Sequence, residues 1–358
     1  MKQIRFLVFV VSLIMGNSYA TYALWNNPAM KEKKIVRHYN VQSGDVLSIN
    51  NQYGKVHINT WDKNEINVEV KIMVTARNED VAQDRLDGIT IDEEGANGKG
   101  HVITLTTEFA NLKFLTSMVF QIEYTVYMPR KNGLKITNKY GNVYLGDFDG
   151  KLALDLSYGT LKTQNLTGSL KDIKVAFGSV DVASVELGDF TTSYSGVNIE
   201  QAGKLDVNNK FGKFAITSVN DLDIRQSYGE LEIGTAGKVD GDITFAGVTI
   251  DKLTKSTNMH LKYCPKTTLG SIGAGVEKVE LDISYGSLVC KFDEGANLAL
   301  EINIAYSTLK NQVAMRPFEF GTRQVAEDGN NRVQCFGKVG QGKGTFDVHL
   351  KYGSITLK

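Results

Sequence analysis

Carboxylates are the residues of this chain whose number and spacing could do chemistry. They recur at one or two per short segment: Asp147 and Asp149, Asp155, Asp172, Asp181, Glu186 and Asp189, Asp206, Asp221 and Asp223, Asp240 and Asp242. Such residues could serve polysaccharide cleavage, which needs clustered carboxylates with a basic residue, or a calcium site. Asp155, Asp206, Asp223 and Asp282 each stand between two apolar residues of an alternating strand and therefore face outward. The column they form is interrupted, so they read as isolated surface acids and no catalytic residue is assigned. Other chemistries lack their patterns. His38, His57, His101, His260 and His349 are scattered singly, without metal-ligand spacing. Ser-His-Asp order is missing, and Gly340-Gln341-Gly342-Lys343-Gly344 is a glycine run with no helix after it, hence a loop and not a phosphate cradle. Cys264, Cys290 and Cys335 are odd in number; a bridge between neighbouring segments is conceivable, but buried free thiols are the simpler reading. Neither metal nor cofactor is expected.

The elements that would position these residues follow from a repeated phrase between Leu134 and Leu309: alternating apolar residues, an aromatic, a glycine, then another apolar residue. It occurs as Tyr140-Gly141, Tyr158-Gly159, Phe177-Gly178, Phe211-Gly212, Tyr228-Gly229 and Tyr285-Gly286, with looser copies at Tyr194, Phe245, Tyr263 and Tyr306, an early copy at Tyr53-Gly54 and a late one at Tyr352-Gly353. Successive aromatics from Tyr140 to Tyr306 are 18, 19, 17, 17, 17, 17, 18, 22 and 21 residues apart. A fixed short period means stacked units that bury one face against their neighbours, so the expected fold is all-β, a single-stranded β-helix or solenoid with these residues as repeat anchors. Along Leu152, Leu154, Leu156 and Tyr158 the apolar residues share one strand face, and Leu161 resumes it after three steps instead of two. The aromatic-glycine pair is then a bend at which glycine supplies the unusual backbone angles. By parity the aromatics belong to the interior, and a mixed outward ladder (Lys55, Asn142, Thr160, Ser179, Lys213, Glu230, Ser287) follows the glycines. Asn138, Asn209 and Gln226 occupy inward places, where stacked amides can bond along the column. The aromatics alternate Tyr and Phe from Tyr158 to Tyr263, which leaves one or two units per coil open.

Residues 1–20 carry Lys2 and Arg5, the apolar run Phe6 to Met15 and small residues up to Ala20, the pattern of a cleaved export signal. Residues 21–130 read as a β-rich region with one short helix. Ile66 to Val74 alternates strictly, Asn78 caps the helix and Gly88 ends it, and Pro129 breaks the strand from Gln121, placing a domain junction there. Leu112, Leu115 and Met118 lie on a helix turn or a loop. The repeats occupy 131–311, and 312–358 reads as an excursion followed by a closing strand. With 40 basic and 40 acidic residues, no long-range field favours nucleic acid.

The stretches Gln52-Tyr53-Gly54-Lys55-Val56, Trp61-Asp62-Lys63-Asn64, Tyr127-Met128-Pro129 and Leu134-Lys135-Ile136-Thr137-Asn138-Lys139-Tyr140-Gly141-Asn142-Val143, with their repeats, resemble the putative-adhesin β-helix families of exported bacterial proteins, whose domain is of unknown function. The likeness covers roughly Ile35 to Lys358 and brings no catalytic residues. The copies Tyr194-Ser195-Gly196, Phe245-Ala246-Gly247 and Tyr263-Cys264-Pro265 depart from the pattern, so those coils are expected to bend differently. The export signal, the repeat and the lack of a convergent polar cluster point to a non-enzymatic adhesin-like protein or cell-envelope scaffold, secreted, periplasmic or on the outer-membrane surface, that takes a protein or glycan partner on its outer faces. A carbohydrate-active β-helix and a periplasmic sensing or assembly component are the alternatives. No transmembrane segment is expected after signal cleavage.

Overall fold

The structure is a computed structural model that describes residues 28–95, 102–110, 119–314, 317–325 and 332–358. The proposed export signal, the 111–118 segment and most of the 93–100 turn lie outside the described residues. The chain is all-β, with a single helix among the described residues. Its residues divide into two compact units, one ending at Gly159 and the other starting at Thr160.

The first unit contains β1 (Ala29–Asn40), β2 (Val46–Gln52), β3 (Val56–Trp61), β4 (Glu65–Ala76), α1 (Glu79–Asp87), β5 (Ile89–Glu94), β6 (Val102–Phe109), β7 (Val119–Pro129), β8 (Gly133–Lys139), β9 (Val143–Leu145) and β10 (Leu152–Ser157). Strict alternation makes β4 a strand: Ile66, Val68, Val70, Ile72 and Val74 are buried, and β1 and β7 flank it antiparallel. Helix α1 begins where Asn78 accepts a hydrogen bond from the Val81 amide and ends at Gly88, with Glu79 and Asp80 in its positive first turn. Strand β7 runs through Pro129, which aligns with Trp61 of β3, so the proline ends the strand rather than interrupting it. Parallel pairings β6–β2–β8–β10 and β7–β3–β9 build two ladders from these strands.

The second unit comprises β11 (Thr160–Leu166), β12 (Lys171–Ala176), β13 (Ser179–Ser193), β14 (Gly196–Lys262), β15 (Thr267–Ile272), β16 (Lys278–Phe292), β17 (Leu298–Ala305), β18 (Thr308–Asn311), β19 (Phe318–Val325), β20 (Arg332–Val339) and β21 (Gly344–Leu357). Pairing is parallel and in register at the repeat length: Ser179 faces Gly196 and Val180 faces Val197, an offset of 17 residues. One rung is therefore one unit of the phrase. Strand β21 inserts between β16 and β17, and β20 pairs antiparallel with the far edge of β17 while β19 pairs with β20. The pairings leave an open sheet, and the buried apolar residues lie along one face of the rungs.

Candidate recognition face

The repeat aromatics do not lie in the core. Ten of them, from Tyr140 to Tyr352, are 37–46% exposed, and Tyr53 and Tyr158 are half-buried. All twelve anchors (Tyr53, Tyr140, Tyr158, Phe177, Tyr194, Phe211, Tyr228, Phe245, Tyr263, Tyr285, Tyr306 and Tyr352) have φ between 49° and 62°. Parity counting fails at these residues because a left-handed residue does not continue the strand alternation; its side chain turns out to the corner. The aromatic, not the glycine, carries the unusual angles, since among the glycines that follow it only Gly229 has positive φ among the described residues.

The glycine is needed for space. A Cβ on Gly141 would lie 1.9 Å from the Gly54 carbonyl oxygen, on Gly159 2.1 Å from that of Gly141, on Gly212 2.0 Å from that of Ser195, and on Gly353 1.8 Å from that of Gly286. A Cβ on Gly54, Gly229 or Gly286 would lie 1.9, 2.2 or 2.4 Å from a carbonyl oxygen of the neighbouring rung. Backbone meets backbone at each corner. The three divergent copies bend in the same way, with φ of 50° at Tyr194 and 55° at Phe245 and Tyr263. Their Ser195, Ala246 and Cys264 stand in the glycine place and are buried. Ser195 Oγ donates to the Ser193 carbonyl at 2.8 Å, and Cys264 Sγ reaches the equivalent Lys262 carbonyl at 3.6 Å.

The corner also explains the interior amides. Left-handed geometry at the aromatic leaves the next carbonyl pointing inward, and a buried acceptor without a donor is costly. Asn138 Nδ2 donates to Gly141 O at 3.0 Å and Gly54 O at 3.2 Å, and Asn209 Nδ2 donates to Gly212 O at 3.2 Å. Along the stack Thr192 Oγ1 donates to Asn209 Oδ1 at 2.7 Å and Asn209 Nδ2 to Gln226 Oε1 at 2.8 Å. The expected amide ladder is present, and it includes Asn51, which donates to Asn138 Oδ1 at 3.1 Å. Asn51 precedes Tyr53 by two residues, as Asn138 precedes Tyr140, so the same spacing rule identifies it.

In the second unit the aromatics stack in the order Phe177, Tyr194, Phe211, Tyr228, Phe245, Tyr263, Tyr285, Tyr352, Tyr306. Centroids are 4.7–5.2 Å apart and ring planes lie within 16° of parallel. Each inner ring has its faces against its neighbours and shows solvent only its edge. The column is therefore poorly suited to stacking sugar rings, which requires free faces, and well suited to clamping successive rungs.

Outward rows lie beside the column. Asp172, Asp189 and Asp206 are direct neighbours on adjacent strands, and the 17-residue offset carries the row on to Asp223 and Asp240. The row then continues as Asn258, Glu280, Asp347 and Glu301. The acid column is more continuous than the sequence reading allowed, and Asp282 belongs to the adjacent row, beside His260 and His349. Several members are compensated: Lys174 Nζ is 3.3 Å from Asp172, Lys238 Nζ 2.5 Å from Asp240 and Lys278 Nζ 2.6 Å from Glu280. At Asp189, desolvation and then the charges of Asp206 and Asp172 push the carboxyl above its usual range. Of the ladder expected just after the glycines, Thr160 and Ser179 hydrogen-bond side by side at 2.9 Å, and Lys213 pairs with Glu232 at 2.6 Å. Cys264, Cys290 and Cys335 are buried free thiols, all raised above the usual thiol range by burial. Among the described residues, no group of His, Cys, Asp and Glu is placed to hold a metal ion, and no helix is long and apolar enough to cross a membrane.

No protein-family model matches the chain, and no curated protein matches it. Among solved structures, it is similar to a "putative cell adhesion protein" from Clostridium sporogenes at 12% identity and TM-score 0.20, covering 92% of this chain and 99% of that one. A "putative lipid binding protein" from Parabacteroides distasonis matches at 10% identity and TM-score 0.34, covering 93% and 97% of the two chains. A "putative adhesin" from Parabacteroides merdae matches at 10% identity and TM-score 0.33, with the same coverages. Likeness this slight assigns neither fold nor ligand to the chain.

Proposed function

We propose that the chain is an exported, non-enzymatic β-solenoid that acts as an adhesin-like protein or cell-envelope scaffold, with a protein or glycan partner on its outer face. Three features support a solenoid: the parallel offset of one repeat per rung, one corner per repeat at a left-handed aromatic, and interior amides that satisfy the corner carbonyls. The observation that carries the functional reading is the outer face. Its rows of side chains run in register from Asp172 to Glu301, a long periodic surface suited to an extended partner. The test is protease accessibility of the native protein on intact cells, followed by binding of the purified protein to immobilised glycans and cell-surface proteins. Digestion on intact cells with retention of a partner supports an adhesin; protection until the outer membrane is opened removes the adhesin and leaves the scaffold.

One observation favours a carbohydrate-active enzyme instead. Asp189 stands between Asp172 and Asp206 on adjacent strands, its carboxyl raised by desolvation and then by their charges, and a pair of carboxylates is what glycoside cleavage uses. These residues stand on an open strand face, where water reaches a substrate freely. Release of reducing ends from a polysaccharide, lost in Asp189→Asn, would establish this reading and overturn the first.

A further inference from the structure

Where β20 pairs antiparallel onto β17, the outer face becomes concave. An open groove of about 590 Å³ lies over β16, β21, β17 and β20. Two rows of side chains line it. In the row nearer the aromatic corner, Ser284 neighbours Lys351, Lys351 neighbours Ala305, and Ala305 neighbours Arg332, while Lys262, beside Ser284, continues the row beyond the groove. Cations thus alternate with small residues, leaving room between charges that stand two strands, about 10 Å, apart. Lys262 Nζ is 5.6 Å from the centroid of the Tyr263 ring and Lys351 Nζ 5.1 Å from that of the Tyr352 ring. Neither lysine nor Arg332 forms an ion pair among the described residues.

The second row is polar and sets carboxylates beside imidazoles and amides. Asp282 Oδ2 is 3.2 Å from His260 Nδ1, and its Oδ1 is 3.9 Å from His349 Nδ1. His349 Nε2 is in turn 3.2 Å from Asp347. Glu301, beside the groove, accepts from Asn303 at 3.3 Å and from Gln334 at 3.2 Å. Lys351 and Arg332 therefore lie along one wall, opposite amides that can bond hydroxyl groups, and the Asp282 carboxylate lies between two imidazoles in the second row.

From this we infer that the groove binds an acidic sugar, a uronic-acid unit of a polysaccharide. Its carboxylate meets the Arg332 guanidinium and its hydroxyls meet Asn303, Gln334 and Ser284, while the Lys351 ammonium, about 10 Å away, takes the carboxylate of a neighbouring unit. Arg332 supplies a planar fork matched to a carboxylate, and the methyl of Ala305 leaves space for the ring. The inference rests on the reading that the outer face is a recognition surface, and it names the chemistry of one site on that face.

The test is calorimetric titration of the full chain with tri-galacturonic acid, with its methyl ester, which removes the charge and adds a methyl to each carboxyl, and with sodium sulfate. The acid is expected to bind at least tenfold more tightly than the ester, and more weakly as salt rises. The double variant Arg332→Gln, Lys351→Gln should lose at least tenfold, and Ala305→Trp, which fills the groove, should abolish binding with an unchanged circular dichroism spectrum. Equal binding of acid and ester, or an unaffected double variant, overturns the inference. Competition by sulfate at equal concentration reduces the site to an adventitious anion site and also overturns it. If neither sugar binds while the protein retains other partners on an array, this inference fails and the recognition-surface reading stands; loss of both fails the reading itself.

Discussion

Phe211 offers a direct check on the corner geometry. Its φ is 57°, and its ring is 41% exposed and stacked between Tyr194 and Tyr228 at 4.7 Å on each side. Burying somewhat over half of a phenyl side chain stabilises by about 2–3 kcal/mol at about 25 cal/mol per Å². Two stacking contacts add about 0.5–1.5 kcal/mol each. Against this stands left-handed backbone strain of about 1–2 kcal/mol, which an L-residue bears and glycine does not. Phe211→Ala loses the ring and keeps the strain, so it should cost about 3–5 kcal/mol. Phe211→Gly loses the ring, relieves the strain and carries glycine's extra chain entropy of about 0.5–1 kcal/mol. The glycine variant should therefore be about 1 kcal/mol more stable than the alanine variant, the reverse of their usual order within a strand, with Asn between them. Urea unfolding followed by circular dichroism, read as the shift in midpoint at equal slope, measures this. Alanine equal to or better than glycine would refute the claim that the aromatic residue carries the turn.

Three further outcomes follow from the same geometry. Gly353→Ala puts a Cβ 1.8 Å from the Gly286 carbonyl oxygen and should cost about 3 kcal/mol or more, whereas Gly196→Ala, with nothing within 4 Å, should stay within about 0.5 kcal/mol by the same unfolding assay. Asn209→Leu strands Thr192 Oγ1 and Gln226 Oε1 and should cost about 2–3 kcal/mol; the double variant with Gln226→Leu should cost less than the sum of the two single changes, as a double-mutant cycle will report. Burial raises the Tyr124 phenol to about 12 from 10.0, so the folded state holds this proton more tightly than the unfolded chain. Its contribution is intact below pH 10 and is lost at about 1.4 kcal/mol per unit as pH rises toward 12. Tyr39, also raised by burial, titrates in the same direction, so the readout is the difference in alkaline slope between the native protein and Tyr124→Phe.

The repeat and the strand alternation were legible because they depend on side-chain pattern alone, as Ile66 to Val74 and the capped helix from Glu79 illustrate. So was the amide ladder: polar residues two places before an aromatic, in an otherwise apolar column, need partners above and below. The orientation of the aromatics was not. Counting faces assumes extended angles at every residue, and one positive φ per repeat reverses the face without changing the composition. The glycine attracted the conformational explanation because glycine tolerates such angles, while the reason for its presence, a carbonyl about 2 Å from its missing Cβ, involves a residue one rung away. The concave groove was hidden for a similar reason. Lys351 and Arg332 are 19 residues apart in sequence, but Ala305 lies between them only because β20 runs antiparallel beside β17.

Rung order also departs from chain order at this end, and that departure closes the ladder. A purely sequential stack would place β17 on β16. Instead β21 lies between them, Tyr352 continues the column from Tyr285 to Tyr306, and Gly353 packs on Gly286. Closing a rung over the 67 residues from Lys278 to Thr345, instead of the 17 from Ser179 to Gly196, costs only about 1.2 kcal/mol more in chain entropy, since the cost grows with the logarithm of loop length. In return, one strand satisfies the edges of both β16 and β17, and the antiparallel β20 covers the outer edge that β17 would otherwise present. Parallel rungs propagate wherever an edge is bare, so a hairpin of opposite polarity on the terminal rung interrupts the register that another copy would need to add in parallel. The same reversal of strand direction that ends the ladder brings Arg332 alongside Ala305, so the strand that covers the edge of β17 also forms one wall of the groove.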